Sequence, residues 1–285
     1  MKKEFWSFQN SFLFAYKYKD TFMLEGEKMT KKELMEAIFL PQDEQEVVQS
    51  FRMEEVEYKN WKELFYRDEP RFFEEIDERE DKGRLLLWLY IRFAVDCYGD
   101  FCREGISDEI YFDTFYDITI WAKKYHKKYG VPGLMEEKWL AVHMKGRIYR
   151  LGRLQFEPDE KEAVIHVHIP EGEGLNEEEC DLAFAKADTF FSDVYQMYDC
   201  ESWLLSPELS KMLDSSSNII KFQKRFQIVK TVYTFRQAEE RVFGEILENK
   251  ADYPEETSLQ RKLKAYVLDG KDPGMGYGII DRYSK

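Results

Sequence analysis

The change in hydrophobic period across residues 130–133 (GVPG) constrains the fold more than any other feature of this sequence. Before this segment, apolar side chains recur at helical spacing, as in Phe115, Ile118, Trp121 and Tyr125. After it they alternate with other residues, as in residues 163–169 (AVIHVHI). The first period is typical of α-helices and the second of β-strands. The sequence therefore predicts a helical N-terminal domain over residues 1–135 and an α/β domain over residues 136–285.

Local signals place the helices of the first domain. Thr30 and Glu33 match the capping-box pattern, and Ser107 stands where an N-cap is expected before the helix that Gly130 ends. Residues 84–101 are apolar nearly all round, and such a helix has no face suited to water. We therefore expect this helix to be buried at the centre of the domain.

The second domain is predicted to be a mixed sheet with flanking helices, an α/β (α+β) fold. Period-two patterns predict strands, which fall at residues 147–157, 163–169, 201–205, 227–235 and 274–280. Asn176 begins a helix, and its predicted buried stripe consists of Leu182, Ala183, Ala187, Phe190, Phe191 and Val194. A short helix is predicted near residues 218–226.

Composition narrows the possible partners. The chain has 285 residues, 44% of them hydrophobic, which suffices for two packed cores. The formal net charge of −14 repels phosphate backbones and anionic lipid surfaces, so neither nucleic acid nor a membrane is an expected partner. The four cysteines form no CxxC pair, residues 1–6 do not begin a signal peptide, and the apolar run 85–91 is too short for a membrane span. We expect free thiols and a cytoplasmic location.

Four segments carry a resemblance to a known family. They are residues 149–157 (YRLGRLQFE), 168–172 (HIPEG), 202–205 (SWLL) and 217–220 (SNII). Together they resemble the acyltransferases that join a helical N-acyltransferase N-terminal domain to a GNAT-like C-terminal domain. The resemblance covers most of the chain and is strongest from residue 139 to residue 226.

The resemblance implies a binding site for acetyl-CoA or another acyl-CoA. In the GNAT fold the pantetheine arm lies between the fourth and fifth strands, which here would be residues 163–169 and 201–205. The pyrophosphate would face the loop 171–175, because glycines allow close approach and a helix N-terminus offers N–H donors. The residues expected to contact the acyl donor are therefore Ile169, Gly172, Gly174, Leu175, Asn176, Ser202 and Trp203.

N-acylation requires a general base, because only a neutral amine attacks the thioester. His166 and His168 share one face of the predicted fourth strand, and Glu157 is a further candidate. Alternation alone would also place two histidines on a half-solvated face of the sheet. A position there without a catalytic role is therefore the open alternative for both residues. Phe222 and Phe226 occupy the segment where the fold often carries a tyrosine acid, and Tyr233 is a distant substitute.

The sequence predicts an acyl-CoA-dependent N-acyltransferase whose partners are a small-molecule acyl donor and a small amine acceptor, which enters between the two domains. Its alternative is a non-catalytic GNAT-like ligand-binding or scaffold protein. Glu171, Glu173 and the glutamates at 177–179 favour the alternative, because carboxylates repel a pyrophosphate. A metal enzyme built on His166, His168 and His143 ranks last, and no metal is predicted. The acceptor, the acyl chain and the oligomeric state are left open.

Overall fold

The computed structural model describes residues 29–172 and 174–283. Residues 1–6, where no signal peptide is expected, lie outside the described residues. Glu173, one of the loop glutamates, also lies outside them. None of the described helices is long and apolar enough to cross a bilayer. All four cysteines are free, as predicted.

The N-terminal part of the described chain is helical, as predicted. Its helices are α1 Lys31–Ala37, α2 Gln42–Ser50, α3 Glu55–Arg67, α4 Glu69–Asp77, α5 Lys82–Arg103, α6 Asp108–Tyr129 and α7 Glu137–Met144. The Thr30–Glu33 capping box is formed, and the Ser107 hydroxyl caps α6. Gly130 ends α6 with a left-handed φ of 73°. Helix α5 is buried along residues 85–91, so the prediction of a central helix is confirmed.

A six-stranded mixed sheet follows, with the order β1-β2-β3-β4-β6-β5. Its strands are β1 Tyr149–Leu151, β2 Leu154–Asp159, β3 Val164–His168, β4 Met197–Ser202, β5 Gln227–Val232 and β6 Met275–Asp281. Only the β3–β4 pair is parallel among these strands. The flanking helices are α8 Glu177–Phe190, α9 Asn218–Gln223, α10 Gln237–Phe243 and α11 Ser258–Leu268. The predicted fold class is confirmed; the domain boundary at residue 135 stays a prediction.

Two predicted strands are wrong in extent. Residues 147–157 do not form one strand, because Gly152 adopts a φ of 77° in a two-residue turn between β1 and β2. The strand expected at 201–205 is instead the end of β4, which stops at Ser202. Its hydroxyl accepts a hydrogen bond from the Leu204 N–H (3.2 Å), and this bond starts the 3-10 turn Trp203–Leu205.

The predicted buried stripe of α8 is also partly wrong. Leu182 is exposed on the solvent side of the helix, and Val194 is exposed beyond its last residue. The residues that face the core are Cys180, Ala183 and Ala187. Ala183 and Ala187 are therefore buried as predicted, and small side chains on this side let the helix approach the sheet closely.

The two faces of the sheet differ in character. One face packs on α8, where the Phe184 ring meets Phe156 and Tyr198 at centroid distances of 5.7 and 5.1 Å. The opposite face is polar, and it carries Gln155, Glu157, His166, His168, Asp199 and Tyr277. Helix α7 of the helical part lies over this polar face, where Trp139 meets His168. The two predicted histidines therefore lie where the two parts of the chain meet.

Candidate active site

The parallel strands β3 and β4 part from each other at the site. Their pairing runs from Val164–Met197 to His166–Asp199 and ends there. Both strands continue beyond that pair, β3 to His168 and β4 to Ser202. The ends of the two strands therefore form an opening in the sheet, and the loop after β3 borders it. The resemblance implies a pantetheine arm between two such strands, and its placement here stays a prediction.

His168 is the last residue of β3 and lies at this opening. Its Nε2 atom is 3.1 Å from Oε2 of Glu157, whose other oxygen accepts a hydrogen bond from Arg147 (3.1 Å). Burial would raise the pKa of Glu157, but the hydrogen bond from His168 and the charges of His168 and Arg147 lower it. An ionised carboxylate can only accept, so Nε2 of His168 carries the proton of this hydrogen bond, and Nδ1 is the ring nitrogen that Glu157 does not contact.

His166 belongs to a second hydrogen-bonded chain on the same face. Its Nδ1 atom is 2.6 Å from Oδ1 of Asp199, and Oδ2 of Asp199 accepts a hydrogen bond from the Tyr277 hydroxyl (3.0 Å). Its Nε2 atom lies 4.0 Å from a carboxylate oxygen of Asp159. The hydrogen bond to Asp199 raises the pKa of His166 and outweighs the opposing effect of burial. His166 therefore holds a proton to higher pH than an ordinary histidine.

The two histidines thus differ as candidate bases. A general base must be neutral before it can take a proton. His166 stands between the carboxylates of Asp199 and Asp159, which favour its charged form. His168 faces a single carboxylate, that of Glu157, whose charge is shared with Arg147. The raised pKa of His166 makes it the weaker candidate, and the position of His168 at the opening makes it the preferred candidate base.

Trp139 covers His168 from the helical side. The two rings lie 4.8 Å apart between centroids. The indole Nε1 donates to Oδ2 of Asp117 (2.8 Å), and the same carboxylate oxygen lies 3.3 Å from Nε2 of His143. Gln155 completes this group, with its Nε2 atom 3.0 Å from Nε2 of His143. The helical part therefore contributes directly to the surroundings of His168.

The described residues of the loop after β3 are held by turns and side-chain contacts, and their role at a pyrophosphate stays a prediction. Gly172 has a φ of 119°, and an added Cβ there would meet nothing within 4 Å. The Asn176 side chain caps α8 by accepting the N–H groups of Glu178 (2.9 Å) and Glu179 (3.4 Å). The Arg153 guanidinium donates hydrogen bonds to the carbonyls of Pro170 and Gly174, at 3.0 Å each, on either side of Gly172.

The other residues predicted to contact the acyl donor lie either beside the loop after β3 or at the end of β4. Ile169 is half-buried directly after β3, and Leu175 is buried at the foot of the loop. Ser202 is buried and uses its hydroxyl for the turn that follows β4. Trp203 packs instead against the small core that contains Ala238 and Tyr253. Its ring therefore serves the packing of α10 and α11.

Basic side chains accompany the acidic loop, which the linear sequence did not reveal. Lys124 of α6 forms an ion pair with Glu171, and Lys221 forms one with Glu177 (3.0 Å). Arg225 donates to the Glu177 carbonyl (2.8 Å) and pairs with Asp181. These cations lower the local negative charge that the glutamates alone would create.

The metal hypothesis finds no support. Within the ranges 29–172 and 174–283 no group of three His, Cys, Asp or Glu side chains is placed to hold a metal ion. His166 and His168 each engage a different carboxylate, and His143 is buried beside Asp117 and Gln155. Tyr233 is exposed at the end of the edge strand β5, and it packs over Gly274.

Sequence reasoning missed Asp199, Tyr277, Asp117 and Trp139. Asp199 reaches His166 because β4 pairs with β3, and Tyr277 reaches Asp199 because β6 pairs with β4. Trp139 reaches His168 because α7 packs on the sheet, and Asp117 of α6 holds Trp139. The polar residues Asp117 and Thr114, buried on the apolar side of α6, were the available signal.

Comparisons with known proteins agree with this fold. Residues 29–146 match the model of the N-acyltransferase N-terminal domain, and residues 148–280 match the GNAT-like C-terminal domain. These matches define the class as GNAT-like acyltransferases. The chain belongs to the acyltransferase family that combines these two domains. No curated protein sequence matches it.

Solved structures share the fold. An acyltransferase in complex with decanoyl-CoA and teicoplanin is 20% identical, with a TM-score of 0.74 and coverage of 88% of this chain and 87% of that one. A mutant acyltransferase in complex with octanoyl-CoA is also 20% identical, with a TM-score of 0.73 and the same coverage. At this identity the likeness shows a common fold over nearly the whole length.

Proposed function

We propose that this protein is an acyl-CoA-dependent N-acyltransferase in which His168, oriented by Glu157, takes the proton from the acceptor amine. The observation that carries the proposal is the position of the His168–Glu157 pair at the opening between β3 and β4. An acyl thioester held in that opening would present its carbonyl beside the imidazole. The acceptor would approach across the polar face of the sheet, under helix α7.

The acyl donor is acetyl-CoA or a longer acyl-CoA. The two structural neighbours, crystallised with decanoyl-CoA and octanoyl-CoA, support this choice. In this chain the backbone around Gly172 and the N-terminus of α8 would meet the pyrophosphate. Lys124, Lys221 and Arg225 offset the negative charges of Glu171, Glu177 and Asp181, which reduces the repulsion that a pyrophosphate would meet there.

The chemistry of the step follows from the hydrogen bonds of His168. In the neutral imidazole, the Nε2–H group donates its hydrogen bond to Glu157. The lone pair on Nδ1 is then available to accept a proton from the amine. As the amine nitrogen attacks, its proton passes to Nδ1 and the imidazolium gains a charge that the Glu157 carboxylate stabilises. The thiolate of coenzyme A leaves with the electron pair of the broken carbon–sulfur bond.

A calorimetric titration with coenzyme A, acetyl-CoA, octanoyl-CoA and decanoyl-CoA, paired with a thermal melt, tests the donor site. Ligand at about 100 times its dissociation constant stabilises the native state by about 2.7 kcal/mol, which moves the midpoint by several degrees. We expect saturable heat and this shift with at least one acyl-CoA. No heat and no shift at millimolar ligand would contradict the donor site and favour the non-catalytic alternative.

A further inference from the structure

Asp117 is a buried carboxylate of the helical part with an unusual set of contacts. Its side chain lies on α6 and is 2% exposed. One oxygen accepts the Trp139 indole proton at 2.8 Å and lies 3.3 Å from His143. The other oxygen, Oδ1, is buried without a hydrogen-bond partner in the described structure. A carboxylate buried this way costs stability, and an apolar residue of the same size would pack as well. Its presence therefore calls for a role beyond packing.

The partner of Asp117 is the residue that covers His168. The Trp139 indole is held at its Nε1 by Asp117, while its backbone carbonyl lies 3.3 Å from Nδ1 of His143. The residue is thus fixed at two points. Its ring centroid lies 4.8 Å from that of His168, within the range of direct aromatic contact.

The same cluster also reaches the strand beside His168. Gln155 stands directly opposite His168 in the β2–β3 ladder, and its Nε2 atom meets His143 at 3.0 Å. Asp117, His143 and Gln155 therefore fix the residue above the imidazole and the residue beside it. A side chain confined on both sides has fewer rotamers open to it.

We infer that Asp117 is a positioning residue for His168, acting through Trp139. It holds the indole in the orientation that keeps the imidazole with Nε2 on Glu157 and Nδ1 toward the cleft. This inference rests on the proposed role of His168. It gives the helical domain a part in the chemistry, since α6 lies in that domain and Asp117 contacts Trp139 and His143.

Substitutions at both ends of the Asp117–Trp139 bond test the inference. Asp117→Leu removes the acceptor, Asp117→Asn keeps a carbonyl oxygen in its place, and Trp139→Phe keeps a ring but removes the N–H. Thr119→Val is the matched control, because it deletes another buried hydrogen bond of α6, the 2.7 Å bond to the Ile38 carbonyl. Acyl transfer is measured as kcat and as KM for acyl-CoA. The tautomer of His168 is read separately from the ¹⁵N chemical shifts of its ring.

We expect Asp117→Leu to lower kcat by about tenfold to a hundredfold with little change in KM for acyl-CoA, because a misplaced catalytic group costs rate and not donor binding. Asp117→Asn should recover most of that loss. In the Trp139→Phe background Asp117→Leu should add no further loss, since the bond is already absent. The ring of His168 should change from a single tautomer to a mixture in Asp117→Leu and remain unchanged in Thr119→Val.

Two results would overturn the inference. One is a folded Asp117→Leu protein with an unchanged kcat and an unchanged His168 tautomer. The other is an equal loss from Asp117→Leu in the wild-type and Trp139→Phe backgrounds. If Asp117→Leu does not fold, an unchanged His168 tautomer in Trp139→Phe overturns the inference as well. If the wild type transfers no acyl group to any amine, the proposed function fails, while the ¹⁵N measurement still decides whether Asp117 orients His168.

Discussion

Replacing Gly276 with alanine is expected to destabilise the sheet strongly. Gly276 lies in β6, between Ser202 of β4 and Thr231 of β5. A Cβ atom added there would lie 2.0 Å from the Leu205 carbonyl oxygen and 2.4 Å from its carbon. Ordinary contact begins at 3.4 Å. The Leu205 backbone belongs to the turn after β4, so a central strand and that turn would have to separate.

The expected cost is about 3 kcal/mol, the upper end of the range for overpacking, because the new Cβ collides with backbone atoms of Leu205 that no rotamer change can move away. Urea unfolding followed by tryptophan fluorescence should show a midpoint lower by about 1 M. Gly99→Ala is the control, since the nearest heavy atom to its added Cβ is 3.5 Å away and belongs to Arg103. Within α5 that change should stabilise by about 0.5–1 kcal/mol. A loss below about 0.5 kcal/mol for Gly276→Ala would refute the packing argument.

Three further perturbations have defined outcomes. The pKa of His166 is raised above 6.5 by Asp199, so its contribution to stability is complete below that pH and is lost as the pH rises through the raised pKa. His166→Asn should therefore flatten the fall in the denaturation midpoint as the pH rises above 6.5, and an unchanged slope would contradict this pairing. His126→Ala leaves the fully buried Glu44 carboxylate without its 2.8 Å partner. Urea unfolding should show that the free energy of unfolding falls by about 1–3 kcal/mol. Glu44→Gln in the same background should partly restore it. Gly172→Glu should weaken coenzyme A binding in a calorimetric titration by more than Gly172→Ala, since both strain the same backbone and only one adds charge; equal effects would place the pyrophosphate elsewhere.

Local signals made much of the fold predictable. The Thr30 capping box, the Ser107 cap and the Gly130 stop depend on neighbours within four residues, and each is formed as expected. The strand at 163–169 follows from alternation alone. The hairpin turn at Gly152 was missed, because alternation continues across a two-residue turn. The end of β4 at Ser202 was missed, because a hydroxyl bonded two residues ahead competes with the strand.

The candidate site was predictable only along one strand. Alternation places His166 and His168 on the same face, and register with β2 then brings Glu157 to them. Asp199 reaches His166 because β4 lies parallel to β3 across a helical connection, and this pairing depends on the fold. Trp139 reaches His168 only through the packing of α7 on the sheet. Contacts of this kind carry no period that a single sequence displays.

The central claim is that His168 accepts the amine proton during acyl transfer. Mass spectrometry of reactions with acetyl-CoA or decanoyl-CoA and a panel of primary amines, run with wild type and with His168→Asn, tests it most directly. We predict an acylated amine and an equal amount of free coenzyme A from the wild type. His168→Asn should bind acyl-CoA as before and lose about 10²–10⁴-fold in kcat. Equal rates in the two proteins, or acyl-CoA binding without any acylated amine, would contradict the account.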